Sequence, residues 1–221
     1  MSFNYSPKIV TDGLVLVLDA ANKKSYPGSG TTWTDLSGNG NDAVLYNSPT
    51  YTNNNVHTFN FDETNDYAKV DNTTLLSKTA YTKIAWFRPE SSTANIVSGG
   101  GDTYGQHAFW MNGTSNSLRA GHNGSWARVS YSPGDMLNQW WFGSVTFNTT
   151  SGWVLYLNGE QVDTDANTST FTGNQNILIG AYGDASNLFD GDISIVMVYN
   201  RVLSPQEVLQ NYNALKSRFG L

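Results

Sequence analysis

Cysteine is absent from the 221-residue chain, so neither a disulfide framework nor a thiolate metal site is available. Charge is scarce as well. Asp, Glu, Lys and Arg make up 14% of the residues, against the usual fraction of about a quarter. The 12 basic and 18 acidic residues sum to −6. Such a chain lacks the clustered positive charge that phosphate backbones and anionic lipid require, which excludes nucleic acid and membrane surfaces as partners. Long hydrophobic runs are missing. The longest early one, Leu14–Leu18, is far too short to span a bilayer. The opening residues Met1–Val10 lack the basic region and apolar core of a signal peptide. The expectation is a protein made in a cytoplasm and not exported by the usual tag. On that expectation the N-x-S/T triplets at Asn72, Asn112, Asn123, Asn148 and Asn167 are by-products of an Asn- and Thr-rich chain.

Groups for acid–base and nucleophilic chemistry are also few. There are four glutamates, Glu63, Glu90, Glu160 and Glu207, and no two stand at strand spacing of two or four. A glycoside hydrolase usually needs two carboxylates flanking the scissile bond, and these four do not form such a pair. Asp163/Asp165 and Asp190/Asp192 sit in polar contexts that suit turns. Three histidines, His57, His107 and His122, have no G-x-S-x-G elbow and no zinc-type spacing. The glycine-rich stretch Ser98–Gly105 matches no phosphate-binding signature and reads as a flexible rim loop.

What the chain has in quantity is alternation. Apolar and polar residues exchange with period two along Val56–Phe61, Lys83–Pro89, His107–Met111, Trp126–Tyr131, Gln139–Phe147, Trp153–Leu157, Asn176–Tyr182 and Asp192–Tyr199. β-Branched and aromatic residues fill these segments, as half-buried pleated surfaces favour. Asn158-Gly159 between two such runs supplies the positive-φ pair of a type I′ hairpin turn. Short strands with polar turns and no repeat or linker block predict one all-β domain over residues 1–221, a two-sheet antiparallel β-sandwich or jelly roll. The exception is the end of the chain. Ser204 caps, Pro205 suits the first helical position and Glu207 completes a capping box. Val208, Leu209, Tyr212 and Leu215 form an apolar stripe, and Gly220 is the stop. The spacing predicts a short C-terminal α-helix packed on the sandwich.

Two constellations are candidates for a site. The first is Thr32–Val44. With Asp35 at position 1 of a calcium loop, Ser37, Asn39 and Asn41 fall at 3, 5 and 7, and Gly40 supplies the sharp turn at 6. Position 12 is Tyr46, so Asp42, Asp62 or Asp66 would have to complete the shell. The alternative is a cluster of Asx turns joining two strands. The second constellation is aromatic: Trp110, Trp126, Trp140, Trp141 and Trp153, with Arg119, His122 and Arg128 nearby in sequence. Indoles stack on the apolar faces of sugars while polar side chains fix hydroxyls. Most tryptophans in a sandwich are core, and Trp140 and Trp141 point to opposite faces. Trp126, beside the turn Gly121–Ser125, is the best placed for ligand, with Trp110, His122 and Arg128 as its companions.

Seven segments in order, Gly13–Ala20, Thr32–Ala43, Phe59–Val70, Lys83–Pro89, Trp153–Val162, Ile177–Tyr182 and Phe189–Gly220, resemble the laminin-G-like branch of the concanavalin A-like lectin/glucanase superfamily. Lys8–Asn41 further resembles a group common among tailed-phage virion proteins. The resemblance implies a jelly roll that often carries a rim calcium. Asp62 and Asp66 would then join Asp35 as metal candidates, although Glu63-Thr64 stand where a glycine is common. It also implies carbohydrate, or other virion proteins, as partners. The expected function is a non-catalytic lectin-like module, a phage structural, adhesin or decoration protein assembled in the host cytoplasm, and a homo-oligomer is compatible with it. A purely structural virion protein without glycan affinity is the alternative, with a glycoside hydrolase behind it.

Overall fold

The structure is a computed structural model that describes residues 7–91, 94–100, 107–122, 124–173, 175–183 and 185–221. Among these residues the strands, in chain order, are β1 (Leu14–Asp19), β2 (Thr32–Trp33), β3 (Ala43–Tyr46), β4 (Thr50–Thr52), β5 (Thr58–Asp62), β6 (Tyr67–Val70), β7 (Ala80–Pro89), β8 (Ala94–Asn95), β9 (Val97–Gly100), β10 (His107–Asn112), β11 (Ser117–His122), β12 (Ser125–Tyr131), β13 (Trp141–Asn148), β14 (Gly152–Leu157), β15 (Glu160–Asp165), β16 (Asn176–Ile179) and β17 (Asp190–Tyr199). Helix α1 (Pro205–Leu215) and a 3₁₀ turn at Lys216–Phe219 follow. The pairs are antiparallel, as the alternation predicts. The predicted rim loop is partly strand: Ser98 and Gly99 pair with β16, and residues 101–105 lie outside the described residues, as does Asn123.

One layer is an eight-stranded sheet ordered β15-β14-β13-β7-β17-β5-β4, with β1 on the free half of β17. The facing layer is two smaller sheets, β2-β3-β6-β16-β9 and β12-β11-β10-β8. The hairpin between β14 and β15 turns at Asn158 (φ 50°) and Gly159 (φ 84°), both in the left-handed region that type I′ requires. The strand pleat builds two apolar layers. On β7, Tyr81, Ala85 and Phe87 face the inner core between the sheets, where Phe109, Met111, Leu118, Trp153, Ile177 and Val196 meet them. Ile84 and Trp86, one residue out of step, face an outer layer closed by the C-terminal helix.

That helix begins as predicted. Ser204 Oγ accepts from Glu207 N, and the Glu207 carboxylate returns to Ser204 N at 2.8 Å. Arg201 grips the same carboxylate at 2.6 and 2.9 Å, holding it down at a pKa of about 2, chiefly through that hydrogen bond. Val208 and Leu215 are buried, and Trp86 stacks on Phe219 with centroids 4.0 Å apart. Leu209 departs from the predicted stripe: it is exposed, and its place on the buried face is taken by Asn211, whose amide accepts from Val10 N and donates to Tyr199 Oη. A polar residue is tolerated there because both ends of its amide are bonded. Gly220, at φ 74°, is the stop.

The inner core also holds a lysine. Lys83 is fully buried on β7, donates to Val97 O at 3.1 Å and lies 2.6 Å from His107 Nδ1. Beside it, Tyr81 Oη is 2.6 Å from His122 Nε2. Among the described residues no carboxylate pairs with Lys83. Burial therefore pushes Lys83 and His107 far below their ordinary values, and His122 down to about 3.

Two predictions follow from these charges. Glu207→Gln removes the anion from the cap and its arginine, and lowers stability at pH 7 by about 1 kcal/mol. The depressed pKa places that loss above pH 4.5, shrinking as wild type is acidified toward pH 2. Urea unfolding at pH 7 and pH 3 measures it. For Lys83, His107 and His122 the unfolded chain binds protons that the folded chain resists, so stability rises with pH: through the ordinary histidine value of 6.5 and on toward the ordinary lysine value of 10.5. Lys83→Met should flatten the alkaline part of that slope in a urea series from pH 7 to 10.

Candidate functional site

The small sheet β12-β11-β10-β8 has one face on the core and one face outward. On β10, Phe109 and Met111 point inward, so Ala108 and Trp110 must point outward. A cavity of about 200 Å³ lies over this outer face, lined by Asn95, Ala108, Trp110, Trp126, Tyr182 and Asn187. Trp110 Nε1 donates to Trp126 O at 2.7 Å, which ties β10 to β12 and fixes the indole. The Trp126 and Tyr182 rings meet edge-on, centroids 5.4 Å apart at 75°. The Arg119 guanidinium, opposite Trp110 on β11, lies 5.5 Å from that ring.

Tyr182 and Asn187 come from the turn after β16. Tyr182 and Ser186 exchange both backbone hydrogen bonds at 2.9 Å, and the turn is anchored by Gly180 N to Ile96 O and Gly183 N to Gly99 O. Ala185 (φ 66°) and Asn187 (φ 46°) are held left-handed, a conformation that costs a residue with a Cβ about 1 kcal/mol and persists where the surroundings impose it. Asn95 Oδ1 accepts from Ser98 Oγ at 2.7 Å, which fixes that amide. Burial pushes the Tyr182 hydroxyl up to about 12.

Two of the four predicted ligand residues, Trp110 and Trp126, meet in this cavity. The other two do not line it. His122 is buried in the core against Tyr81, Phe147, Trp153 and Phe171. Arg128 donates to Ser125 Oγ at 3.1 Å on its own strand. A register shift between Ala120 and His122 separates these neighbours in sequence: in the bulge, a Cβ on Gly121 would lie 1.9 Å from Ser125 O. Tyr182, Asn187, Asn95 and Ala108 were not anticipated. The criterion that selects Trp126, an aromatic beside a turn at a strand end, also fits Tyr182.

The residues predicted to hold a metal fall into two groups. Asp35 Oδ1 accepts from Val17 N and Ser37 N, and Oδ2 from Ser37 Oγ and Asn41 N, at 2.7–3.1 Å. Those four donors take up the roughly four lone-pair positions of a carboxylate. Asp42 caps Asp35 N, Asn41 Nδ2 donates to Val15 O and Asn39 Nδ2 to Leu14 O. As folded, the stretch is an Asx-turn cluster that fastens the β2–β3 connection to β1. Asp62 and Asp66 lie elsewhere. β3 and β6 run antiparallel with Ala43 opposite Val70 and Tyr46 opposite Tyr67. The Asp35–Asp42 loop is at the first end and the Asp62–Asp66 turn at the second, ~10 Å of strand away, so the two groups do not share a shell. Asp62 accepts from Thr64 N at 2.9 Å, and Asp66 is raised to about 6, first by burial and then by the Asp62 charge. Glu63 fills the position where a glycine was expected, with φ at 57°.

Removing the Asp35 carboxylate leaves several donors without partners, each costing about 1 kcal/mol or more. Asp35→Ala should therefore lose about 2–4 kcal/mol in urea unfolding, by the same amount in EDTA as in calcium. A loss confined to calcium buffer would instead make the loop a metal site.

Comparison with known proteins agrees with this architecture. A laminin-G-type family model of the concanavalin A-like lectin/glucanases superfamily matches residues 62–209. Among curated proteins none matches the sequence. Among solved structures, a mutant Trypanosoma rangeli sialidase displaying trans-sialidase activity superposes with a TM-score of 0.71 at 17% identity, over 96% of this chain and 34% of that one. The chain thus spans about a third of the sialidase. The binding domain of Paraclostridial Mosquitocidal Protein 1 gives 0.70 at 16% identity, over 92% of this chain and 52% of that one. Domain 4 of AbnA, an extracellular arabinanase of Geobacillus stearothermophilus solved with arabinotriose, gives 0.68 at 15% identity, over 90% and 98%. At these identities the structures establish a shared fold, and the matched two-thirds of the sequence establishes the family: the chain belongs to the concanavalin A-like lectin/glucanases superfamily, as a lectin-like β-sandwich.

Proposed function

We propose that residues 1–221 form one non-catalytic carbohydrate-binding module, carried on a phage particle as an adhesin, structural or decoration protein. The observation that carries the sugar-binding part is the cavity framed by Trp110, Trp126 and Tyr182. Three aromatic rings, two of them packed edge-on, beside two amides have the amphipathic character that sugar rings match: apolar C–H faces against carbon, hydroxyls against Asn. Arabinotriose bound to the arabinanase domain of the same fold supports the reading. Asp62 and Asp190 face one another across β5 and β17 and are not among the described residues that line the cavity.

The virion assignment is supported by the resemblance of Lys8–Asn41 to tailed-phage proteins, with assembly in the host cytoplasm. A homo-oligomer suits it, because a single small cavity gains strength through repetition. Calcium is proposed for the turn of Asp62 and Asp66, while Asp35, Asn39 and Asn41 shape the opposite end. A second reading, a virion protein without glycan affinity, draws on one feature: Tyr46 and Tyr67 stack at 4.6 Å and 3° on the outer face of the five-stranded sheet, beside exposed Val44. Such a patch suits a protein contact.

A glycan array followed by titration separates these readings. Wild type should bind at least one glycan, and Trp126→Ala should weaken it by about tenfold or more, as loss of an aromatic anchor does. Unchanged binding in EDTA would remove calcium from the site. Absence of binding to any glycan would select the structural reading, and polysaccharide cleavage abolished by Asp190→Asn would select an enzyme.

A further inference from the structure

The chemistry lining the cavity narrows the ligand further, an inference that rests on the carbohydrate reading above. Size comes first. At about 200 Å³ the cavity falls below the ~300 Å³ where sites for larger ligands begin. That volume suits one sugar ring rather than a chain of several.

Charge comes second. The described lining residues are two amides, an alanine and three aromatics. A carboxylated or sulfated sugar would lose water there without gaining a lining counter-ion. The Arg119 guanidinium, beside Trp110, is engaged with Ser117 Oγ at 2.8 Å and with the Trp110 ring.

The third constraint is the set of polar atoms still uncommitted. Trp110 Nε1 is bonded to Trp126 O, and Asn95 Oδ1 to Ser98 Oγ. By contrast, Trp126 Nε1 and Tyr182 Oη have no partner among the described residues. Asn187 Oδ1 has none either, and its Nδ2 has only a long contact of 3.4 Å to Ser186 Oγ. The residues that line the cavity thus carry an uncommitted indole N–H, phenol O–H and amide carbonyl, beside aromatic carbon and the Ala108 methyl. A secondary amide bearing a methyl group answers all of these together. Its carbonyl accepts from the indole or phenol, its N–H donates to the Asn187 carbonyl, and its methyl packs on the rings and Ala108. A plain hydroxyl answers only the polar half and leaves the apolar floor uncovered.

We propose that the cavity recognises the acetamido group of one neutral, terminal 2-acetamido-2-deoxyhexose.

Titration of the ¹⁵N-labelled protein with methyl glycosides, read at the tryptophan indole resonances, tests this. Methyl N-acetylglucosaminide or N-acetylgalactosaminide should bind about tenfold or more tighter than the parent glucoside or galactoside and shift the Trp126 indole signal. Tyr182→Phe, which removes one oxygen and keeps the ring, should weaken the acetamido sugar several-fold and leave the parent hexose unchanged. Equal affinity for acetamido and parent sugars would overturn the inference and leave the carbohydrate reading in place. Tighter binding of N-acetylneuraminic acid, which carries both an acetamido group and a carboxylate, would overturn the neutral-ligand part. Failure of every sugar on the array and in the titration would remove the carbohydrate reading itself.

Discussion

A pleated strand sends successive side chains to opposite faces, and most of this molecule follows from using both faces of its strands. On β7, Tyr81, Ala85 and Phe87 serve the inter-sheet core while Ile84 and Trp86 serve the layer under the helix. On β10 the same alternation divides core from site: Phe109 and Met111 inward, Ala108 and Trp110 outward. A slip of one residue in the register of β10 would put Trp110 into the core and a phenylalanine into the cavity. The six-residue pairing with β11, from His107–His122 to Asn112–Ser117, prevents that slip. The cavity's floor is therefore determined by the same contacts that hold the sandwich together.

The acids are arranged around this scaffold as fasteners. Asp35 binds the β2–β3 connection to β1. Asp192 is buried against Arg88, Asp19 accepts both Arg218 contacts at 2.9 Å, and Glu207 joins the helix cap to Arg201. In a chain with so few charges, carboxylates are committed to backbone donors and arginines, and the described residues that line the aromatic cavity are uncharged. The polar groups of those lining residues belong to indoles, a phenol and amides. Lys83 is the opposite case, a cation among apolar groups held by a carbonyl and an imidazole. Its position on β7 between Tyr81 and Ala85 places it on the core face with no choice of exit.

Much of the architecture was legible in residue order. The capping box of Ser204 and Glu207, the Asn158-Gly159 turn and the strands at Lys83–Pro89 and Asp192–Tyr199 are local signals, and local physics suffices for them. Trp110 and Trp126 could be chosen because alternation and turn proximity are also local. The remaining half of the cavity was not legible. Tyr182 and Asn187 lie more than fifty residues from Trp126 in sequence, and they reach it only because β16 joins the sheet beside β9. His122 was misplaced because nearness to Trp126 in sequence does not assign a face: on β11 it alternates inward with Leu118 and Ala120, opposite His107. The Asp35 and Asp62–Asp66 groups looked combinable because spacing along a chain does not show which end of a strand pair a loop occupies.

The same long-range assembly bears on how such a small cavity can bind at all. A ligand of one ring gains little apolar contact, so the entropy of ordering the site must be small for any affinity to remain. Here it has been met during folding. Trp110 is fixed by its bond to Trp126 O, Asn95 by Ser98, and the turn carrying Tyr182 by paired backbone bonds and left-handed Ala185 and Asn187. Aromatic side chains have only two torsions to restrain, and these are already packed edge to face. The strain held in the turn is thus the counterpart of the site's rigidity: relaxing Ala185 or Asn187 into ordinary backbone would free Tyr182, and the cavity would lose the wall that gives it a shape.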